Sequence, residues 1–376
     1  MNIVIAPDSY KGSLSALEVG QTIERAMQNA MNGVQCDVIP MADGGEGTMD
    51  ALVFATDGQL VSCEVMGPLL KPTLARYGVL GNGRTVVIEM AQAVGLPMID
   101  ERDRNPMNTS TYGVGQLLRR ALDDGYRDFV VGIGGSATND GGIGFLTALG
   151  AQFFDVDGKP VELTGRGMTT VAKVDLAGLD SRIPDSTIRV ACDVENELTG
   201  DNGASAVFGP QKGADAAMIR VLDDGLKRYA SLMESAFQRP NLSAASGAGA
   251  AGGMGFALMG IDAELVSGAE LVGDACHLRD RLAKADVVVT GEGRSDTQTL
   301  SGKVPYYVAK VARELAKPVI LISGSFDPDC PTLQEQFTSI HAASCGPASL
   351  KEAMQRAEAN LYAAALNVAK LVRMAV

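Results

Sequence analysis

Acids, lysines and one arginine recur in glycine-rich stretches that follow apolar runs. Asp8 and Lys11 stand three apart in Pro7-Asp-Ser-Tyr-Lys-Gly12, with Ser9 beside the acid. Asp43 and Glu46 flank Gly44 and Gly45, and Asp193 lies two positions before Glu195. Glu292, Arg294, Asp296 and Lys303 share residues 291–303. The densest stretch is 132–144, where Gly134, Gly135, Ser136, Thr138, Asn139 and Asp140 follow the apolar run Phe129-Val-Val. Glycines let a backbone approach a ligand and turn its N–H groups inward. Carboxylates in open loops suit a hard cation such as Mg²⁺, which takes a few carboxylates together with water and phosphate oxygens. Phosphoryl transfer needs in addition Lys or Arg to offset developing charge, and a carboxylate near the attacking hydroxyl. All these residue types are present. Each acid taken singly is also what a turn or a helix start carries, as Asp43 before Gly44-Gly45 illustrates.

Two nucleotide signatures fail on inspection. A phosphate-binding P-loop needs Ser or Thr after Gly-Lys, but Gly302-Lys303 is followed by Val304 and lacks the upstream glycine. Gly247-Ala-Gly-Ala-Ala-Gly252 is a literal dinucleotide fingerprint with no strand before it, and close packing of small residues accounts for it better. Gly132-Ile-Gly-Gly-Ser-Ala137 does follow a strand, with Asp155 downstream, but Thr138-Asn-Asp-Gly-Gly142 interrupts the helix such a site requires. A nicotinamide dehydrogenase is therefore a minor alternative. Lys212 is expected to be solvated.

The elements that must position these residues alternate. Residues 2–6 form an apolar run, Ser15 and Glu18 form a capping box, and Val19, Ile23, Ala26 and Met27 follow at helical spacing. A strand over 34–40 leads to Asp43. The β-loop-α pattern returns at 285–290, 318–322 and 337–341, and a second capping box at Ser349 and Glu352 opens a C-terminal helix. Between them, 59–66, 74–80 and 85–90 read as strands with an Asn82-Gly83 hairpin signal, and helices are expected over 111–124 and 215–237. The expected fold class is α/β. Both chain ends (1–67 and 284–376) build a Rossmann-like, doubly wound parallel domain, and residues 68–283 form an inserted α/β domain with a mixed sheet. Ligands of such sheets sit at the carboxyl ends of the strands, where the acidic loops fall.

Composition narrows the function. The 376 residues carry a net charge of −13, which argues against nucleic acid or an anionic membrane as partner and makes basic residues inside glycine loops the places to receive an anion. The 6 Cys include no C-x-x-C pair, so neither a zinc ribbon nor a disulfide framework is indicated. With 2 His, a His-based metal site or a Ser-His-Asp triad is not expected. With no signal peptide and no long apolar run, a cytoplasmic protein is expected.

The loops taken together resemble the type I glycerate kinase family. The resemblance rests on Asp8-Ser-Tyr-Lys-Gly-Ser13, Asp43-Gly-Gly-Glu-Gly-Thr48, Gly134-Gly-Ser-Ala-Thr-Asn-Asp-Gly-Gly142, Phe208-Gly-Pro-Gln-Lys-Gly213 and Gly291-Glu-Gly-Arg-Ser-Asp-Thr-Gln-Thr299, in the family's order and across nearly the whole chain. It implies ATP and Mg²⁺ as cofactors and glycerate as substrate, phosphorylated at the 2-hydroxyl to give 2-phosphoglycerate. It also implies a site in the cleft between two α/β domains. On that resemblance Asp193 or Asp8 handles the glycerate hydroxyl, Arg294 clamps the carboxylate with Asp296 and Ser9 nearby, and Lys11 and Lys303 meet phosphates. Gly134, Gly135, Ser136, Thr138 and Asn139 hold the ATP phosphates, and Asp43, Glu46, Asp140 or Glu292 hold the metal. The alternatives are phosphorylation at the 3-hydroxyl, a kinase of another small hydroxy acid, or a non-catalytic nucleotide- or sugar-acid-sensing regulator. Oligomeric state is left open, a homodimer included.

Overall fold

A computed structural model describes residues 1–374. The chain forms two compact units. One comprises Met1–Asp43, Asp50–Asp57 and the chain from Ser267 onward; the other comprises Gly44–Met49 and Gly58–Val266. The fold class is α/β, with one wholly parallel sheet and one mixed sheet.

In the first unit five strands lie in the order Ser339–Ala342, Val319–Ser323, Val287–Thr290, Asn2–Ile5, Gln35–Val38. All pairings are parallel, with Ile3 opposite both Val287 and Cys36. The three inner strands of this parallel sheet are covered on both faces, which is why they read as apolar runs, whereas the edge strands Gln35–Val38 and Ser339–Ala342 are polar in part and only half-buried. Ile3, Ile5, Val289 and Ile322 pack against Val19, Ile23 and Met27 of helix Ala16–Ala30 and Leu361, Ala365 and Val368 of helix Ala357–Met374. The Ser15 capping box is formed in both directions, as is that at Ser349. The chain leaves strand Asn2–Ile5 toward Gln35–Val38 and returns on its other side as Val287–Thr290. That reversal is the switch point where ligands of doubly wound sheets bind.

The second unit carries six strands in the order Glu264–Val266, Thr187–Ala191, Asp128–Gly132, Thr85–Glu89, Pro72–Val79, Gln59–Met66. The first four are mutually parallel, and the last two are added by antiparallel pairing. Its core joins Val86, Ile88, Phe129 and Val131 to Leu117 and Leu118 of helix Tyr112–Asp123 and to Phe153, Tyr229 and Phe256, whose rings meet at centroid distances of 6.1 and 6.2 Å.

Three local expectations change. Strand Gln59–Met66 pairs along its whole length with Pro72–Val79, so it belongs to the mixed sheet and the unit boundary falls at 57/58 rather than 67/68. The second boundary falls at 266/267, and helices Gly268–Ala275 and Leu278–Ala283 belong to the first unit. The C-terminal helix is two helices, Leu350–Gln355 and Ala357–Met374, broken where Arg356 leaves helical geometry at φ −106° and ψ 13°.

Candidate active site

Three neighbouring strands of the first unit end in acids. Asp8 follows Asn2–Ile5, Asp43 follows Gln35–Val38, and Glu292 follows Val287–Thr290. Parallel pairing puts these ends side by side. The Asp8 N–H donates to the Gly291 carbonyl at 2.8 Å, and the buried Tyr10 hydroxyl donates to the Ile322 carbonyl at 2.8 Å. The loops are thus tied to one another before any ligand arrives. Asp8 is 4% exposed and accepts the Ser9 N–H at 2.6 Å. Lys11 Nζ donates to Asp43 Oδ2 at 2.7 Å. With the lysine side chain 69% exposed, that pair contributes only about 0–1 kcal/mol to stability. Its importance is electrostatic.

Burial, followed by the neighbouring charge of Asp43, pushes the Asp8 carboxyl up to about 7, against the opposing pull of Lys11 and the Ser9 N–H. Glu292 adds to the push. Partial desolvation pulls the Lys11 ammonium down, but Asp43, Asp8 and Glu292 outweigh it and raise it above its ordinary value. Glu292 is 5% exposed, and burial raises it although the Thr299 and Ser295 hydroxyls and the Lys303 charge oppose the shift. More negative charge is gathered here than the protein neutralises. A proton or a cation would relieve the excess.

The rest of the expected first-unit set sits in the loop after Thr290. Arg294 lies on a two-residue parallel ladder with Ser325–Phe326, and its exposed side chain reaches Asp296 at 3.3 Å. Asp296 caps the turn Thr297–Leu300 through the Gln298 N–H. Lys303 is the residue before helix Val304–Glu314.

The second-unit residues fall into a different pattern. Asp140 is fully buried, not open to a metal. Its oxygens accept the Thr111 N–H and hydroxyl, both at 2.8 Å, and the N–H groups of Gly142 and Gly144 at 3.1 and 3.3 Å. Burial raises its carboxyl and these donors oppose the rise. Asp140 therefore builds the loop, and coordinating a cation would forfeit charge-assisted hydrogen bonds of about 1.5–3 kcal/mol each. The glycines also build. The N–H groups of Gly134, Ala137 and Gly141 donate to Gly44, Val94 and Gly252 carbonyls, so they do not form an open phosphate cradle. A Cβ at Gly134 would lie 2.6 Å from the Gly45 Cα. Gly134→Ala is expected to cost roughly 1–3 kcal/mol of stability, measured by urea unfolding; an unchanged midpoint would refute the close-packing role. Gly135 stays exposed, while Ser136, Thr138 and Asn139 are buried. Asn139 Nδ2 donates to the Ser205 hydroxyl at 2.9 Å, and Thr138 Oγ1 and Asn139 Oδ1 have no hydrogen-bond partner among the described residues. Glu46 and Asp193 are exposed.

Lys212 overturns its expectation. It is 2% exposed, not solvated, and donates to Ser136 Oγ at 3.0 Å and the Thr138 carbonyl at 2.6 Å. Burial pulls its ammonium down to about 7, against the attraction of Asp140. Glu89 is a further buried acid, and no sequence motif marks it. It is fully buried and accepts the Gly47 and Met49 N–H groups at 3.1 Å, an acid at the start of helix Thr48–Ala55.

No group of three or more His, Cys, Asp or Glu among the described residues makes a ready cation cage. Mg²⁺ does not need one, because one or two carboxylates suffice when phosphate oxygens complete the shell. The hard oxygens and excess charge at Asp8, Asp43 and Glu292 fit that chemistry.

Comparison with known proteins agrees across the chain. The family model described as the glycerate kinase family matches residues 3–373. A curated relative, glycerate 2-kinase of Escherichia coli K12, is 45% identical over 98% of this chain and 97% of its own. A glycerate kinase of Bacillus subtilis 168 is 43% identical over 100% and 98%. A crystal structure of a Salmonella typhimurium LT2 protein assigned as glycerate kinase 2 superposes with a TM-score of 0.89 at 46% identity, covering 100% of this chain and 99% of that one.

Proposed function

The chain belongs to the glycerate kinase family, and from that premise we propose that it transfers the γ-phosphoryl group of ATP to D-glycerate, in a Mg²⁺-dependent reaction at the 2-hydroxyl that gives 2-phosphoglycerate and ADP. The observation that carries the reading is the buried Asp8 carboxyl held near neutrality beside Lys11, Asp43 and Glu292. A general base works best when its pKa lies near the working pH. Asp8 takes the proton of the glycerate hydroxyl as that oxygen bonds to the γ-phosphorus and the bond to the bridging oxygen of ADP breaks. Lys11, held by Asp43, faces the charge that develops on the phosphoryl oxygens. Asp43 and Glu292 hold Mg²⁺, and when bound it offsets the charge of the phosphate oxygens. Lys303 contacts a phosphate. Gly135, exposed on its loop, serves the nucleotide, with the buried Ser136 beside it.

Arg294 clamps the glycerate carboxylate, with Asp296 orienting its guanidinium and Ser9 beside the base. The planar fork of Arg makes paired hydrogen bonds that Lys cannot. Arg294→Lys is expected to raise the KM for glycerate about tenfold, a loss of about 1.4 kcal/mol, with a smaller change in kcat. Unchanged KM removes Arg294 from the substrate site. The overall reading is tested by ³¹P NMR of the product from D-glycerate, ATP and Mg²⁺. A 2-phosphoglycerate signal is expected. A 3-phosphoglycerate signal would overturn the position, and absence of any phosphorylated glycerate would overturn the substrate.

A further inference from the structure

Glu292 is held in an unusual way for an acid at a strand end. Its Oε1 accepts two hydroxyls, Ser295 Oγ at 2.8 Å and Thr299 Oγ1 at 2.6 Å. The direction of each bond is fixed by its neighbours. Thr299 Oγ1 already accepts the Asp296 N–H at 3.1 Å, so its own proton points to Glu292. Ser295 Oγ meets Ser323 Oγ at 2.7 Å. Since the Ser295 proton goes to the carboxylate, Ser323 donates to Ser295. All three hydroxyl residues are fully buried. They are fixed from separate directions, by the ladder Arg294–Ser295, the capped turn Thr297–Leu300 and the end of strand Val319–Ser323.

A carboxylate oxygen accepts along two lone-pair directions. Both are taken on Oε1. None of the hydrogen bonds among the described residues reaches Oε2, and Oε2 is not among the sealed polar atoms that lack a partner. We propose that Ser295 and Thr299 are positioning residues for Glu292: their hydroxyls occupy Oε1 and leave Oε2 as the one oxygen offered to a divalent cation. This rests on the reading of the site as that of a Mg²⁺-dependent kinase. Ser323 acts one step further out, orienting the Ser295 proton. Residues that orient a ligand in this way commonly matter 10–100-fold to metal affinity.

The test uses the full-length protein saturated with ADP at pH 8 and Mn²⁺ as a paramagnetic probe, with the free ion followed by EPR and the binding counted over that of ADP alone. Glu292→Gln, Ser295→Ala, Thr299→Val and Thr299→Ser are compared with the unmodified chain, together with thermal unfolding of each. Thr299→Val and Ser295→Ala are expected to weaken Mn²⁺ binding about tenfold, and Thr299→Ser to stay within about twofold because the hydroxyl is kept. In the kinase assay the half-saturating Mg²⁺ concentration should rise in the same order. Thr299→Val that lowers the unfolding temperature while leaving Mn²⁺ affinity unchanged would make the hydroxyls purely structural and overturn the proposal. So would unchanged binding in Glu292→Gln, or no measurable binding in the unmodified protein. A chain that phosphorylates glycerate without any divalent cation would instead overturn the metal-dependent reading beneath it.

Discussion

Asp8→Asn is expected to lower kcat by about 10³-fold, within the 10²–10⁴ that a general base contributes, while making the metal-free protein more stable at pH 8. Both effects come from one property of the site. Asp8 is buried beside Asp43 and Glu292, so its ionised form is disfavoured in the folded state and its carboxyl is pushed up to about 7 from an ordinary 3.8. The folded chain therefore binds more protons than the unfolded chain between these values. Stability falls as pH rises through that window and is lowest, as far as Asp8 is concerned, above 7. At 1.36 kcal/mol for each unit, the cost at pH 8 approaches about 4 kcal/mol as an upper bound, since the exposed Lys11 and solvent relax part of it. Asn keeps the shape and can still accept the Ser9 N–H, but it carries no charge. Urea unfolding of both proteins at pH 5 and pH 8 in the presence of EDTA measures the difference. The lead of the variant should grow from the lower pH to the higher, and added Mg²⁺ should shrink it by stabilising the unmodified enzyme. Turnover is read by ADP release. A variant that keeps its turnover removes Asp8 from the chemistry, and a lead that does not grow with pH removes the charge crowding.

The contrast between the two units explains what could be read from the chain. Ile3, Ile5, Val288 and Val289 sit in strands covered on both faces, and such strands are visible as local apolar runs. The capping boxes at Ser15 and Ser349 are visible for a similar reason, since donor and acceptor lie three residues apart. Asp8, Asp43 and Glu292 are each legible as acids after strands of one parallel sheet, whose loops must emerge at the same edge, but the sequence does not separate them from Glu46, Asp140 and Asp193. Their mutual electrostatics were not legible, because they depend on which strands are neighbours. Local alternation reveals the strand Gln59–Met66 but not its partner, Pro72–Val79. The three-residue strand Glu264–Val266 is too short to carry a period at all. Asp140 looked like Asp43 in sequence, an acid beside glycines. The difference lies in Thr111, a residue 29 positions away that supplies two of its donors.

Lys212 is the extreme case, with both its partners more than seventy positions upstream, and its replacement should have the second large effect. Lys212→Met keeps the length of the side chain and removes the ammonium that holds Ser136 and Thr138. If Ser136 serves the nucleotide, the released loop should cost about 10²-fold in turnover, the scale of a 1 Å misplacement. The stability effect has a sign that depends on pH. Burial pulls the ammonium down to about 7 from an ordinary 10.5, so the folded chain binds fewer protons than the unfolded chain between those values. Stability of the unmodified protein then rises with pH across that window, and the contribution is lost as pH falls through 7. Below 7 the fold carries a buried charge. Above it the neutral amine still donates to the Ser136 hydroxyl and the Thr138 carbonyl without that penalty. Methionine has no proton to release. The deficit of the Met variant should therefore be smaller at pH 7 than at pH 9.5, by about 3 kcal/mol, counting 1.36 kcal/mol per unit. Urea unfolding at the two pH values measures the gap. A deficit equal at both would mean that the lysine titrates as it does in water, and the charge could not then be sealed behind the loop.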